Sequence, residues 1–150
     1  MRVENSKFSP IYCGLLSTFH SLKRPRTALP MAFAFEKLGV CQKSVDFADQ
    51  ICLRSENFAR GYGFLADQLN RSALSISANI AEGNGRFTKP DRKNFFGIAR
   101  GSVQECVPLL ELARRRGLLA ADHHEALKSQ LAEIARMLSG LINGVDNREP

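Results

Sequence analysis

The stretch Arg71–Arg86, Arg-Ser-Ala-Leu-Ser-Ile-Ser-Ala-Asn-Ile-Ala-Glu-Gly-Asn-Gly-Arg, constrains the fold of this chain more than any other. Leu65, Leu69, Ser72, Ile76 and Ile80 recur at steps of three and four, which lines them up on one face of a helix. The polar residues among them are small, so a second helix can approach that face closely. Gly83-Asn84-Gly85 is expected to stop the helix, because Gly and Asn tolerate the left-handed conformation common at helix C-termini. Lys89-Pro90-Asp91 restarts a helix, with proline in the first turn, where its missing amide hydrogen costs little. A helix, a short loop and a second helix make a hairpin.

Two further helices complete the expected fold. Helix one is predicted over Gly39–Ser55, with Val45, Ala48, Ile51 and Cys52 as its buried stripe and Cys41 and Phe47 at the margins. Helix two runs from about Phe64 to Glu82. Helix three runs from Pro90 to about Arg116, with Phe95, Ala99, Ser102, Cys106, Leu109, Leu110 and Ala113 on its core face and Gly101 and Ser102 inviting close packing. Pro108 lies opposite that face, which predicts a kink rather than a break. Gly117 caps the helix. Asp122-His123-His124-Glu125 fits a capping box with Asp122 as N-cap and the histidines in a solvated first turn. Helix four then carries Leu127, Leu131, Ile134, Leu138, Leu141, Ile142 and Val145. Four amphipathic helices with short connections predict an all-α, antiparallel up-down-up-down four-helix bundle over 35–146, with a frayed tail at 147–150.

Charge separates the first thirty residues from the rest. They hold Arg2, Lys7, Lys23, Arg24 and Arg26 against Glu4, a balance of +4 out of the total of +6. Residues 31–150 are therefore only mildly basic, although their arginines outnumber their lysines eleven to five. Residues 1–34 are expected to form a flexible or disordered extension. A signal-peptide reading meets a short apolar run, Ile11 to Phe19, and a basic Lys23-Arg24-Pro25-Arg26 before the cleavage-like Ala32-Phe33-Ala34. A dispensable leader with Met31 as an internal start fits better, and a basic arm that touches nucleic acid is a further reading. No run of eighteen apolar residues predicts a membrane span, and the expected location is cytoplasmic.

Catalytic chemistry finds little to work with. Cys13, Cys41, Cys52 and Cys106 form no CxxC pair and have no histidine at ligand spacing, which argues against zinc. They suit thiols packed in a reducing compartment. A di-iron bundle needs inward Glu-x-x-His pairs, and the sequence has none. The Gly-Asn-Gly-Arg turn lacks the Lys-Ser/Thr of a phosphate-binding loop. No enzyme, metal or cofactor is expected. The polar residues of the hairpin carry two readings. In one, Glu82 and Glu105 pair with arginines across helices or between subunits and set the packing register. In the other, Arg71, Arg86, Lys89, Arg92, Lys93 and Arg100 form a surface for phosphates. Arg114-Arg115-Arg116 is a separate cluster that favours the C-terminal end of helix three.

Phe35-Glu36-Lys37-Leu38, Gln68-Leu69-Asn70-Arg71-Ser72-Ala73, Ser77-Ala78-Asn79-Ile80-Ala81-Glu82-Gly83 with Gly85-Arg86, and Phe95-Phe96-x-Ile98-Ala99-Arg100-Gly101-Ser102-x-x-Glu105 together resemble the four-helix bundle proteins encoded in 23S rRNA intervening sequences. The accessory variability determinants of diversity-generating retroelements look like relatives. Asn79, Glu82, Gly83, Gly101, Ser102 and Glu105 form the signature. The resemblance implies a bacterial homo-oligomer, typically a pentamer, with no catalytic residues or cofactor. For the retroelement relatives it implies binding to RNA or DNA and to a reverse transcriptase. The expected function is thus nucleic-acid binding by a non-enzymatic ring, with a protein-docking scaffold as the alternative. Pro108 and residues 1–30 depart from the family pattern.

Overall fold

The computed structural model describes residues 33–146. The expectations for Cys13, for most of the extension over 1–34 and for the tail over 147–150 lie outside the described residues. A short 3-10 turn, Ala34–Lys37, leads into four helices: α1 (Gly39–Ser55), α2 (Gly63–Gly85), α3 (Lys89–Arg115) and α4 (Ala121–Asp146). They pack as an all-α bundle in which α2 lies between α1 and α3, and α4 closes the layer between α3 and α1. Gln50 and Gln130 exchange amide hydrogen bonds at the α1–α4 seam, and Lys43 pairs with Glu133 at 3.1 Å beside them.

The core follows the apolar periodicity. Leu65, Ile76 and Ile80 of α2 meet Ile51 of α1, Leu110 of α3 and Leu127, Leu131, Ile134 and Leu138 of α4, all essentially removed from water. Truncating one such leucine or isoleucine to alanine removes buried methyl groups and leaves a cavity, at a cost of about 2–5 kcal/mol. The serines of the core faces are bonded within their own helices. Ser44, Ser72 and Ser102 donate to the carbonyls of Val40, Gln68 and Ile98 four residues earlier. That arrangement satisfies each hydroxyl without a bulky partner, so neighbouring helices close in.

Several local expectations are corrected. In α1 the stripe is rotated: Val45 is 53% exposed, whereas Phe47 is completely buried and Cys41 is buried with it. In α3 Phe96 rather than Phe95 points into the core, and Val103 joins it. Helix α2 does not stop at Glu82 through a left-handed glycine. It runs through Gly83 and Asn84 to Gly85 and ends at Arg86, whose φ of −78° and ψ of 142° are extended. Among the described residues positive φ occurs at Gly61 and Gly117. Gly117 does cap α3, with Leu118 N donating to Ala113 O at 3.0 Å as in a Schellman closure. Pro108 sits on the exposed side of an α3 that continues to Arg115. The start of α4 also moves: His124 N donates to Ala120 O, so Ala120 precedes the helix and Asp122 lies in its first turn, where a carboxylate opposes the positive helix end.

Candidate nucleic-acid interface

Residues 86–88 close the α2–α3 hairpin. Thr88 is the N-cap of α3: its Oγ1 accepts from Asp91 N at 3.2 Å and donates to Asp91 Oδ2 at 2.6 Å. Pro90 follows in the first turn. Arg86 folds back on the end of α2, pairing with Glu82 four residues earlier, and its guanidinium lies 4.5 Å from the centre of the Phe95 ring. Glu82 therefore pairs with the turn that follows it and not with an arginine of a neighbouring helix. Phe87 beside it is fully exposed.

The signature residues mostly meet at the α2–α3 seam. Asn79 Nδ2 donates to the carbonyl of Ser75 at 2.7 Å and to its hydroxyl at 3.0 Å. The Ser75 hydroxyl bonds that of Ser102 on α3 at 2.9 Å. Ser75 thus faces α3. Further down the seam Gln68 Nε2 donates to Glu105 Oε1. Glu105 has an amide partner across the helices rather than an arginine. Gly83 is buried, and a Cβ built there would come within 2.7 Å of the Phe96 ring. Gly101, by contrast, is exposed and a Cβ there would meet nothing within 4 Å, so close packing within the protomer does not account for it.

The six expected phosphate contacts divide. Arg86, Lys89, Arg92 and Lys93 gather at the hairpin turn. Arg71 lies fifteen residues before Arg86 on α2, roughly 22 Å along the helix axis, and Arg100 lies eight residues beyond Arg92, roughly 12 Å along α3. Arg71, Lys89 and Arg100 are exposed, while Arg92 and Lys93 are half-buried. Among the described residues Arg71, Lys89, Arg92 and Arg100 form no ion pair. Arg92 stands out because its Nε is buried without a hydrogen-bond partner. It lies beside a cavity of about 680 Å³ formed where the α2–α3 turn meets the start of α1 and the end of α4. Sequence reasoning missed this cavity, since its walls come from three distant segments.

At the opposite end of α3 two arginines of the Arg114-Arg115-Arg116 cluster share one carboxylate. Glu111 accepts from Arg114 Nε at 3.0 Å, from Arg114 Nη2 at 2.8 Å and from Arg115 Nε at 2.8 Å. Those bonds, Arg114 first and then Arg115, hold the Glu111 carboxyl well below its ordinary range, at about 2. His124 Nε2 approaches the same carboxylate at 3.3 Å, and His124 is only 7% exposed. The expectation of a solvated capping histidine holds for His123 but not for His124. His124 stands three residues before Leu127 on the buried face of α4, so the apolar periodicity of that helix could have signalled its burial, though not its contact with Glu111. The buried Cys106 thiol is pushed up to about 12, first by burial and then by the Glu105 charge, which suppresses the thiolate a nucleophile needs. Among the described residues no His, Cys, Asp and Glu side chains gather as a metal set, and no helix is long and apolar enough to cross a membrane.

An all-α, four-helix bundle with a small-residue seam and a cationic hairpin turn is the class that these features define. The 23S rRNA-intervening sequence protein family matches residues 36–140, and the chain belongs to that family. A protein of unknown function from the S23 ribosomal protein family of Bacteroides thetaiotaomicron VPI-5482 has a similar crystal structure, with a TM-score of 0.65 and 27% identity. That similarity covers 69% of this chain and 95% of the other. A search of curated proteins gave no match.

Proposed function

We propose that this chain binds RNA or DNA without catalysing a reaction, as a cytoplasmic homo-oligomer, with a pentameric ring as the expected form. The observation that carries the proposal is the set of cations left without carboxylate partners among the described residues: Arg71, Lys89, Arg92 and Arg100 along one helical hairpin. By contrast Arg86 pairs with Glu82, and Arg114 and Arg115 share Glu111. A repeated array of weak phosphate contacts gains avidity when several copies present it to one strand. Binding of a structured RNA and of a duplex DNA across a salt series tests the proposal. Affinity that falls as salt rises supports it, and no binding even at low salt overturns it. Mass in solution tests the assembly, where a stable monomer counts against the ring.

A second reading has its own support. Val45, Leu53, Leu74 and Ile98 are each about half exposed, on three helices. Such side chains suit contact with another protein, either a second copy or a partner of the reverse-transcriptase kind. Recovery of a stoichiometric protein partner that survives nuclease treatment would favour a docking scaffold. Recovery of nucleic acid alone would count against it.

A further inference from the structure

The cavity at the end of the bundle combines two features that point to one chemistry. Its walls are apolar: Val40 of α1, Phe96 of α3, and Leu141 and Val145 of α4 line a space of about 680 Å³. A volume of that order holds a small organic ligand rather than a water cluster. The second feature is unopposed positive charge. Lys89 and Arg92 line the same space, and neither has an ion-pair partner among the described residues. Among the described residues the buried Nε of Arg92 has no acceptor. Arg54 also has a buried Nε without a partner, but its Nη1 donates to the carbonyl of Gln50. Arg92 has no such relief. A guanidinium N–H buried without an acceptor costs free energy that a bound oxyanion would return.

The start of α1 reinforces the sign. Gly39 and Val40, its first two residues, line the cavity. The helix has no side-chain cap and no acid in its first turn, although Glu36, whose charge reaches Cys41, stands just before it. By contrast α3 has both, in Thr88 and Asp91.

We propose that this cavity binds an amphipathic anion, an oxyanion carried on an apolar chain, with the chain against Phe96, Leu141 and Val145 and the oxyanion on Arg92 and Lys89. Lys89 and Arg92 are shared with the nucleic-acid proposal, but the apolar walls and the buried Nε carry this assignment without it. Gly140 and Gly144 of α4 face the cavity, and a Cβ at either meets nothing within 4 Å. A larger side chain there would fill the space without striking the bundle.

Calorimetric titration of the full chain with decanoate, decanol and acetate tests the proposal. The expected result is micromolar affinity for decanoate, at least about tenfold weaker binding of decanol, and no binding of acetate, because both halves of the ligand are needed. Decyl phosphate in place of decanoate should bind comparably, which separates a general oxyanion site from one specific to carboxylate. Arg92→Gln should weaken decanoate about tenfold or more. Gly144→Leu should abolish binding while its melting curve shows a folded chain. Decanol binding as tightly as decanoate, or decanoate binding unchanged in both variants, overturns the assignment. So does the absence of decanoate binding, or a nucleoside monophosphate that binds through Arg92 where decanoate does not.

Discussion

The ring of Phe96 lies against the backbone of α2 at Gly83, so close that a Cβ at that position would come within 2.7 Å of it. A glycine is required here by space rather than by backbone conformation. Gly83→Ala should therefore destabilise the fold by about 1–3 kcal/mol, since the aromatic ring and not a flexible tip must move. Gly101→Ala in α3 should act in the opposite direction. Its Cβ meets nothing, and replacing a helical glycine lowers the entropy lost on folding, a gain of about 0.5–1 kcal/mol. Chemical denaturation of both variants checks the pair, and a loss of stability at position 101 would contradict the open environment.

The carboxylate of Glu111 is expected to link stability to acid pH. Its pKa in the folded chain is lowered to about 2 from an ordinary value of 4.5 by hydrogen bonds from Arg114 and Arg115. A depressed carboxyl contributes stability that is fully present above the ordinary value and is lost as pH falls through the folded one. The melting temperature should thus decline between about pH 4.5 and pH 2. Glu111→Gln should lose most of that pH-dependent component. An unchanged acid slope in the variant would show that another group is responsible.

Phosphate contacts are best probed away from Arg86. That arginine pairs with Glu82 and stacks on Phe95, so its substitution disturbs the turn as well as any ligand. Arg71, Lys89 and Arg100 make no comparable contacts among the described residues. If all three touch phosphate, the triple glutamine variant should weaken nucleic-acid binding and reduce the salt slope by about 2 to 3, with the oligomer intact. A full slope in the variant would place the contacts elsewhere, and a dissociated assembly would make these residues structural.

Thiol reactivity should follow burial and protonation. Cys106 is completely buried with its pKa pushed up to about 12, and Cys41 is buried with its pKa raised by burial and by Glu36. Cys52 is half-buried. Alkylation of the native chain near pH 8, read by peptide mass mapping, should modify Cys52 well before Cys41 or Cys106. Early labelling of Cys106 would mean that α3 opens readily.

The four helices were legible in the sequence because each carries its own periodic apolar face. Most of the details that failed share one cause, which is that neighbours decide them. Val45 and Phe47 are both apolar and two positions apart, so local pattern admits either as the centre of α1, and only the approach of α2 and α4 buries Phe47. Gly83 carried the signal of a helix stop, yet the Phe96 ring explains it. His124 was placed in solvent because the capping-box reading put it in an open first turn, whereas α4 starts earlier and His124 falls on its buried face, against Glu111. The candidate phosphate residues were identified by type, but their division between the hairpin turn and the helix shafts follows from the length of the helices. The cavity left no trace in the sequence, since no one segment builds it.

The three-residue turn between α2 and α3 bears on the order of folding. Contacts across that hairpin join residues close in sequence, such as Ser75 with Ser102, so little loop entropy is lost in forming them. The α1–α4 seam joins Gln50 to Gln130, eighty residues apart, and is expected to close last. Truncation at the Phe96–Gly83 contact, by Phe96→Leu, should then mainly slow refolding, whereas Gln130→Ala should mainly speed unfolding. Stopped-flow measurements of both limbs decide it, and the reverse partition would make the helix pair at the chain's extremes the nucleus. A hairpin that forms early also presents the Arg71–Arg86 segment, its cations already in register, before the rest of the bundle has closed around it.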